Sequence, residues 1–199
     1  VIVRTWEHCE TTSSTYDALD LALQERGLSL KECYAEFAVW NWHTGTRDVG
    51  RHYPSGSLMP EVPVGLAARE LPLLFPEGWV VDMPHGTGAT YVLFSRRTAM
   101  NQPLDVRCDT PVAPNTAYSV TSIPMNGSEP GSVTYHADES HGPLAFSLAP
   151  SRDEVAHCVI IANLNRSSEP LRIGIEAGRA VSPTIDLAAE FYDRVEVAL

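Results

Sequence analysis

The chain has 199 residues, a formal net charge of −11 and an apolar fraction of 44%. These values suit a globular protein of one domain, or of a small domain with an appendage, that buries a core. The negative charge and the lack of a basic run exclude nucleic acid and anionic membrane surfaces as expected partners. The longest apolar runs fall short of the ~20 residues that span a bilayer, and no pattern typical of a signal peptide is present.

Residues 1–45 read as helical. Val1, Ile2, Thr5 and Trp6 form an apolar pattern that begins without a Met, which predicts the end of a helix whose start lies upstream. The alternative is a processed N-terminus.

Two capping boxes predict where the next helices begin. Ser14 is followed three residues later by Asp17, and Ser29 by Glu32. Gly27 is predicted to end the first of these helices in the left-handed position after its last turn. Because the connection is so short, we expect an antiparallel helical hairpin.

The second helix of the hairpin is rich in aromatic residues and is expected to end near Gly45. Cys33, Phe37 and Trp40 fall on one face at helical spacing, so we expect that face to be the core. Trp42 points elsewhere and is expected to cover the neighbouring domain.

The pattern then changes twice. Residues 46–70 are broken up by Gly and Pro and predict an irregular linker. Short alternating segments follow, and they predict strands at residues 71–75, 79–82, 89–95, 104–108, 118–124, 132–136, 144–148, 155–163 and 171–176. The tail at 181–199 fits either a helical turn or a last strand.

The expected fold class is therefore α+β, mostly β. A helical segment comes first, at residues 1–45. The linker at 46–70 would then lead to an antiparallel β-sandwich at 71–199, of the immunoglobulin-like or jelly-roll-like kind. No helical stretch separates the strands, so a parallel α/β sheet is not expected.

One segment is dense in metal-ligating residue types. His136, Asp138, Glu139 and His141 lie within six residues and are candidate ligands for zinc or calcium if the chain curls there. Their spacing matches no known metal motif, and a solvated polar loop is what we expect between two predicted strands.

A second polar segment follows the aromatic helix. His43 and His52 flank residues 44–51, which include Arg47 and Asp48. One interpretation is a loop that contacts a substrate. The other is structural, because a protonated His43 at a helix C-terminus is favoured by the helix dipole.

The four cysteines are Cys9, Cys33, Cys108 and Cys158, and none forms a CxxC pair. Disulfides are possible, with Cys9–Cys33 and Cys108–Cys158 each staying within one region, but four buried free thiols are the alternative. Motifs of known hydrolases and nucleotide-binding loops are absent, so the sequence assigns no catalytic and no cofactor-binding residue.

Residues 34–47 read YAEFAVWNWHTGTR and are followed by His52, Tyr53 and Gly56. This run resembles a family of secreted bacterial metalloproteases of the zincin type, in which a similar helix follows the catalytic region and a β-rich part comes next. Further segments of that family are similar to residues 1–7, 18–30, 86–94 and 159–163. The resemblance is strongest over residues 1–56.

The chain departs from the family pattern at Trp42 and His43, where an aromatic pair is usual, and it lacks an acidic residue before Gly56. The resemblance implies that the HExxH helix and the third zinc ligand lie upstream of Val1. Residues 1–45 would then be the end of a truncated peptidase domain. No catalytic or metal residue therefore carries over to this chain, and zinc would belong to the parent protein. It also implies an extracellular or cell-surface location.

Three functions remain as alternatives. The first is a non-catalytic C-terminal region of a secreted metallopeptidase whose partner is the upstream peptidase region. It predicts an exposed apolar surface on residues 1–45. The second is a stand-alone carbohydrate- or protein-binding sandwich module, which predicts an exposed aromatic groove. The third is an enzyme with a metal site at residues 136–141.

Overall fold

The computed structural model describes residues 1–71, 77–83, 88–96, 103–109, 117–126, 129–140, 142–148, 156–165 and 171–179. In these residues the helices are α1 (Ile2–Cys9), α2 (Thr15–Gln24) and α3 (Leu30–Trp42). Two short 3-10 turns follow at Gly45–Arg47 and Gly56–Leu58. Among the described helices, none has the length and hydropathy that crossing a bilayer requires.

The predicted turn between α2 and α3 is confirmed by its hydrogen bonds. Glu32 N donates to Ser29 Oγ at 3.1 Å, and Ser29 N donates to the Glu32 carboxylate at 2.8 Å. Gly27 has a φ of 71°, and the next residue, Leu28, donates its N–H to Leu23 O at 3.1 Å. This is a Schellman ending, which favours glycine because a Cβ is disfavoured at positive φ.

The rest of the described chain forms β-strands. They are β1 (Leu66–Leu71), β2 (Glu77–Met83), β3 (Ala89–Arg96), β4 (Leu104–Asp109), β5 (Tyr118–Asn126), β6 (Glu129–Pro130), β7 (Thr134–Ser140), β8 (Leu144–Leu148), β9 (Ala156–Asn163) and β10 (Leu171–Arg179). One sheet has six strands in the order β1-β3-β9-β5-β6, with β7 also paired to β5, and the other has the order β2-β10-β4-β8. Helices followed by a mostly antiparallel β-sandwich confirm the predicted fold class.

Two segments depart from the predicted elements. Strand β1 lies at the end of the segment predicted to be irregular, and it pairs with β3 in parallel. Its composition favours a helix, so only the non-local pairing with β3 makes it a strand. Strand β7 extends through residues that were predicted to form a loop. Residues 72–75 of the first predicted strand, and the whole tail at 181–199, lie outside the described residues.

The first core fills the space between the two sheets. In β3, Val92 and Phe94 point into it, while Tyr91 and Leu93 point to the opposite face of the sheet. This alternation follows from the order of residues in the strand. In β10, Leu171, Ile173 and Ile175 also face this core, because alternate residues of a strand share a face.

The second core lies on the outer face of the six-stranded sheet, where α3 covers it. Trp42 is 2% exposed and stacks on Tyr91 with ring centroids 5.7 Å apart. Its Nε1 donates to Met125 Sδ at 3.4 Å, and the Tyr91 hydroxyl donates to Ala38 O at 2.9 Å. Helix α3 therefore shares a core with the sandwich, and the prediction that Trp42 covers the neighbouring strands is confirmed.

The predicted core face of α3 is wrong. Phe37 is 48% exposed and Trp40 is half-buried, while Ala35, Ala38 and Val39 are buried. The helix carries apolar side chains around most of its circumference, so helical spacing does not select one face. The outer face of the sheet selects it, because small residues allow α3 to approach closely and Trp42 fills the remaining space.

All four cysteines are free thiols in the structure. Cys108 is buried in the core between the sheets, whereas Cys158 belongs to the core beneath α3. The six-stranded sheet thus separates the two sulfurs, which excludes the Cys108–Cys158 pair in this fold. The Cys9–Cys33 disulfide is not formed either.

We predict that Trp42→Ala lowers the free energy of unfolding by about 3–5 kcal/mol, because it empties the core that joins α3 to the sheet. Phe37→Ala, in the same helix, should cost roughly 1 kcal/mol or less because its ring is largely exposed. Urea denaturation of both variants measures the difference. Equal costs would show that α3 packs on the sheet through its other face.

Candidate functional site

The chain leaving α3 is held against the sheet by a buried arginine. The Arg47 guanidinium lies 3.8 Å from the centroid of the Trp42 ring. Trp42 in turn stacks on Tyr91 of the sheet. Arg47 Nη2 donates to Val62 O at 2.9 Å and lies 3.7 Å from a carboxylate oxygen of Glu61. Burial lowers the pKa of Arg47, and the carboxylate and the ring partly offset the loss of water around the charge.

Further hydrogen bonds join the beginning and the end of the loop at residues 44–62. Thr46 N donates to Glu61 Oε1 at 2.9 Å, and the Thr44 hydroxyl donates to Pro60 O at 3.0 Å. Gly45 has a φ of 61°, and a Cβ there would lie 2.4 Å from Glu61 Cγ. Both facts require glycine at this position. Arg47, which the sequence placed in a loop of possible substrate contacts, is therefore a structural residue.

The two histidines that flank this segment come together. The rings of His43 and His52 stack with centroids 3.9 Å apart and planes inclined by 8°. The edge of His52 also meets the Trp40 ring at 5.8 Å, and the same tryptophan packs against Tyr53 at 5.4 Å. The half-buried aromatic side of α3 thus forms a wall behind the histidine pair.

His43 is buried without a well-formed hydrogen bond. It is 2% exposed, and neither of its ring nitrogens has a partner of normal geometry, although the Arg47 backbone lies close. His52 Nδ1 is also buried without a partner. A buried polar atom without a partner costs about 1–3 kcal/mol, so such a pair is unusual in a region that only supports the fold.

Burial and stacking keep these imidazoles neutral. Loss of water, together with the adjacent His52, lowers the pKa of His43 to about 4. Burial also lowers the pKa of His52, with the Arg51 guanidinium acting in the same direction and Asp48 against it. The dipole explanation for His43, which requires a protonated ring, is therefore wrong at neutral pH. Desolvation outweighs the helix dipole here.

A pocket of about 440 Å³ opens beside the stacked rings. It lies between the loop after α3 and the chain that joins β6 to β7. Its lining comprises His43, Val49, Arg51, His52, Pro130, Gly131, Ser132 and Val133. The volume falls within the ~300–1,000 Å³ typical of small-molecule sites. Sequence reasoning marked the loop side of this pocket, but no signal marked the 130–133 side, because only sheet pairing brings it there.

The stacked geometry does not suit a metal ion shared by both rings. A histidine nitrogen binds a metal in the plane of its ring, and two nearly parallel planes have no common point between them. Within the described residues, no group of three His, Cys, Asp or Glu side chains is placed to hold an ion. The pair is better suited to hydrogen bonding than to coordination.

The predicted metal segment is only partly described. His136 stacks on Phe146 at 4.0 Å, and its Nε2 lies 2.7 Å from Ser122 Oγ. Glu139 instead forms an ion pair with Lys31 of α3, so these two candidates have different partners on different elements. His141 and the side chain of Asp138 lie outside the described residues, and the metal site stays a prediction.

The Ser122–His136 contact has the residue types of a nucleophile and its base. Ser122, however, is only 4% exposed, so a substrate would not reach its hydroxyl. Burial and the nearby His157 lower the pKa of His136. The pair is best explained as the mutual satisfaction of two buried polar groups.

Comparison with known proteins finds only distant likenesses. No family model matches the sequence, and no curated protein matches it significantly. Among solved structures, a mitogen from Yersinia pseudotuberculosis is 11% identical, with 57% of this chain and 93% of that chain covered and a TM-score of 0.38. A periplasmic inhibitor of g-type lysozyme from Aeromonas hydrophila is 11% identical over 59% of this chain and 96% of that chain, with a TM-score of 0.38.

Carbohydrate-binding modules from the β-sandwich superfamily are also similar, at 11% identity over 53% of this chain and 54% of that chain, with a TM-score of 0.34. At such scores these likenesses carry no argument about what this chain binds or does.

The buried histidine predicts a pH dependence of stability. His43 has a pKa of about 4 when folded and an ordinary pKa near 6.5 when unfolded, so the unfolded chain binds the extra proton between these values. Stability is therefore complete above pH ~6.5 and falls as the pH drops towards ~4, by up to about 3 kcal/mol from this group.

We expect His43→Phe to lose less stability between pH 7.5 and 4.5 than the natural chain, whatever its stability at pH 7.5. Urea denaturation at several pH values measures this slope. The other histidines remain in both proteins, so the difference reports His43. Identical slopes would show that His43 is not held neutral by burial.

Proposed function

We propose that this protein is a non-catalytic β-sandwich binding module whose ligand enters the pocket beside His43 and His52. The observation that supports this most directly is the pocket itself, in which the exposed Arg51 and Ser132 and the partly buried His52 lie beside apolar side chains. A ligand there would contact these polar groups and cover the edge of the stacked histidine rings.

The chemistry of the wall favours a small polar molecule, or a polar end of a carbohydrate or peptide. Ser132 offers a hydroxyl and Arg51 a guanidinium, and the His52 ring lies beside them. Val49, Pro130 and Val133 supply apolar surface beside these groups. Such a mixture of a few placed polar groups and an apolar wall is typical of ligand sites.

Binding fits these residues better than catalysis does. A base with a pKa of about 4 accepts a proton weakly at neutral pH, and the stacked neighbour opposes protonation further. The aromatic groove expected for carbohydrate binding is not formed by the tryptophans of α3, since Trp42 is buried in the core and Trp40 is packed by His52 and Tyr53.

Blocking the pocket tests this function. We expect glucose, glycine or benzamide at millimolar concentration to shift the NMR signals of the His43 ring and of Gly131 in a saturable way. Ser132→Trp should abolish these shifts because its side chain occupies the pocket. Ser57→Trp is the matched control, since Ser57 is exposed and does not line the pocket. Shifts confined to other parts of the protein would rule out this site.

We propose, as a second candidate, that the chain is the C-terminal region of a zincin-type metallopeptidase with an extracellular location and its zinc in the parent protein. The observation that favours it is the surface of α1, where Ile2, Val3 and Trp6 are 76%, 70% and 73% exposed. An exposed apolar surface on residues 1–45 is what this function predicts, because the peptidase part would cover it.

Reading the gene upstream of Val1 tests this second candidate. We expect the upstream sequence to encode HExxH, followed by a residue that supplies a carboxylate ligand. An upstream region without that motif would exclude the metallopeptidase. The pocket and its ligand are independent of this outcome.

A further inference from the structure

We infer that the pocket beside His43 recognises a carboxylate on a small organic acid, with Arg51 as the residue that selects the charge. This inference rests on the proposed function and adds the chemical class of the ligand. It concerns residues 49–52 and 130–133 of the described chain, together with the last residue before the loop, His43.

The first argument is the sign of the charge in the pocket. Among the described residues that line the pocket, Arg51 has a permanently charged side chain, and none is an aspartate or a glutamate. The whole chain has a net charge of −11, so the positive charge of Arg51 at the pocket is opposite in sign to that of the chain as a whole. Arginine binds a carboxylate through two parallel N–H donors, which gives both attraction and orientation.

The second argument is the supply of further donors next to that guanidinium. Arg51 lies close enough to His52 to disfavour its protonation, and His52 stacks on His43. The Ser132 hydroxyl lines the same space, while both nitrogens of His43 and Nδ1 of His52 are buried behind it without partners. A carboxylate has about four lone-pair sites and no donor, so it complements the Arg51 guanidinium and the Ser132 hydroxyl.

The third argument is the apolar part of the lining. Val49, Pro130 and Val133 would contact the body of an organic acid, whereas inorganic phosphate would leave them uncovered. The nearest acidic group in the loop, Asp48, accepts a hydrogen bond from Gly50 N at 2.8 Å and packs against Gly56. Asp48 does not line the pocket, so its carboxylate does not take the position of a bound acid beside Arg51.

The same arrangement couples binding to protons. A bound anion favours the imidazolium form of His43 and His52, so binding should take up protons and strengthen as the pH falls. The charged groups that face His43 are Arg47 and Asp48, and those that face His52 are Arg51, Asp48 and Glu36. These charged groups are present in the free and the bound protein alike, so the proton uptake on binding reports the two histidines.

Benzoate and benzamide form a matched pair of probes, since they differ mainly in charge. We expect NMR titrations of the full chain at pH 6.5 and low salt to show benzoate binding at least tenfold tighter than benzamide, with shifts at His43, His52 and Gly131. Arg51→Gln should reduce benzoate affinity roughly 10- to 100-fold, to that of benzamide. Arg26→Gln, an exposed arginine on the α2–α3 turn, should leave it unchanged.

Arg51→Lys keeps the charge but removes the planar pair of donors, so an intermediate loss is expected and provides a second folded variant. Benzoate affinity should also be several-fold higher at pH 5.5 than at pH 7.5. Equal affinity for the two probes would overturn the carboxylate inference, and so would a benzoate affinity that Arg51→Gln leaves unchanged. The proposal of a binding module would stand in either case. Tighter binding of inorganic phosphate than of benzoate would also overturn it. If neither these probes nor glucose or glycine shift the pocket signals, both proposals fail.

Discussion

The stack of Arg47, Trp42 and Tyr91 is the interaction on which the rest of this structure depends. It places a guanidinium, an indole and a phenol in sequence, from the loop after α3 to the outer face of the six-stranded sheet. A buried cation requires its partners to be in position, and Glu61 and Val62 supply them from the far end of the same loop. The stack therefore fixes the helix, both ends of the loop and the sheet at once.

The histidine pair is a consequence of that constraint. Because α3 ends at Trp42 against the sheet, the next residue, His43, is buried whether or not it finds a hydrogen-bond partner. The chain between Arg47 and Glu61 is held at both ends, and it returns His52 onto His43 and leaves Arg51 at the pocket. The fold thus bears a local cost of unsatisfied polar atoms directly behind the lining of the pocket.

Much of the β-sandwich was predictable because strand alternation is local. The two faces of β3 follow from the order of its residues, and the bounds of β8 agree with the predicted segment. The capping box at Ser29 was equally readable, since its partners lie three residues apart. The core face of α3 was not, because Phe37 and Trp42 both suit a core and only the shape of the sheet chooses between them.

The same distinction between local pattern and tertiary contact applies to the candidate site. Sequence by itself determined the residue types after α3, two histidines around an arginine-bearing loop, and the hydrogen-bonding and charge they can offer. Tertiary structure decided that Arg47 is buried in a stack, that the two rings meet face to face, and that residues 130–133 form the opposite wall. The reason is that sheet pairing and helix docking join residues far apart in the chain, and no local pattern records such contacts.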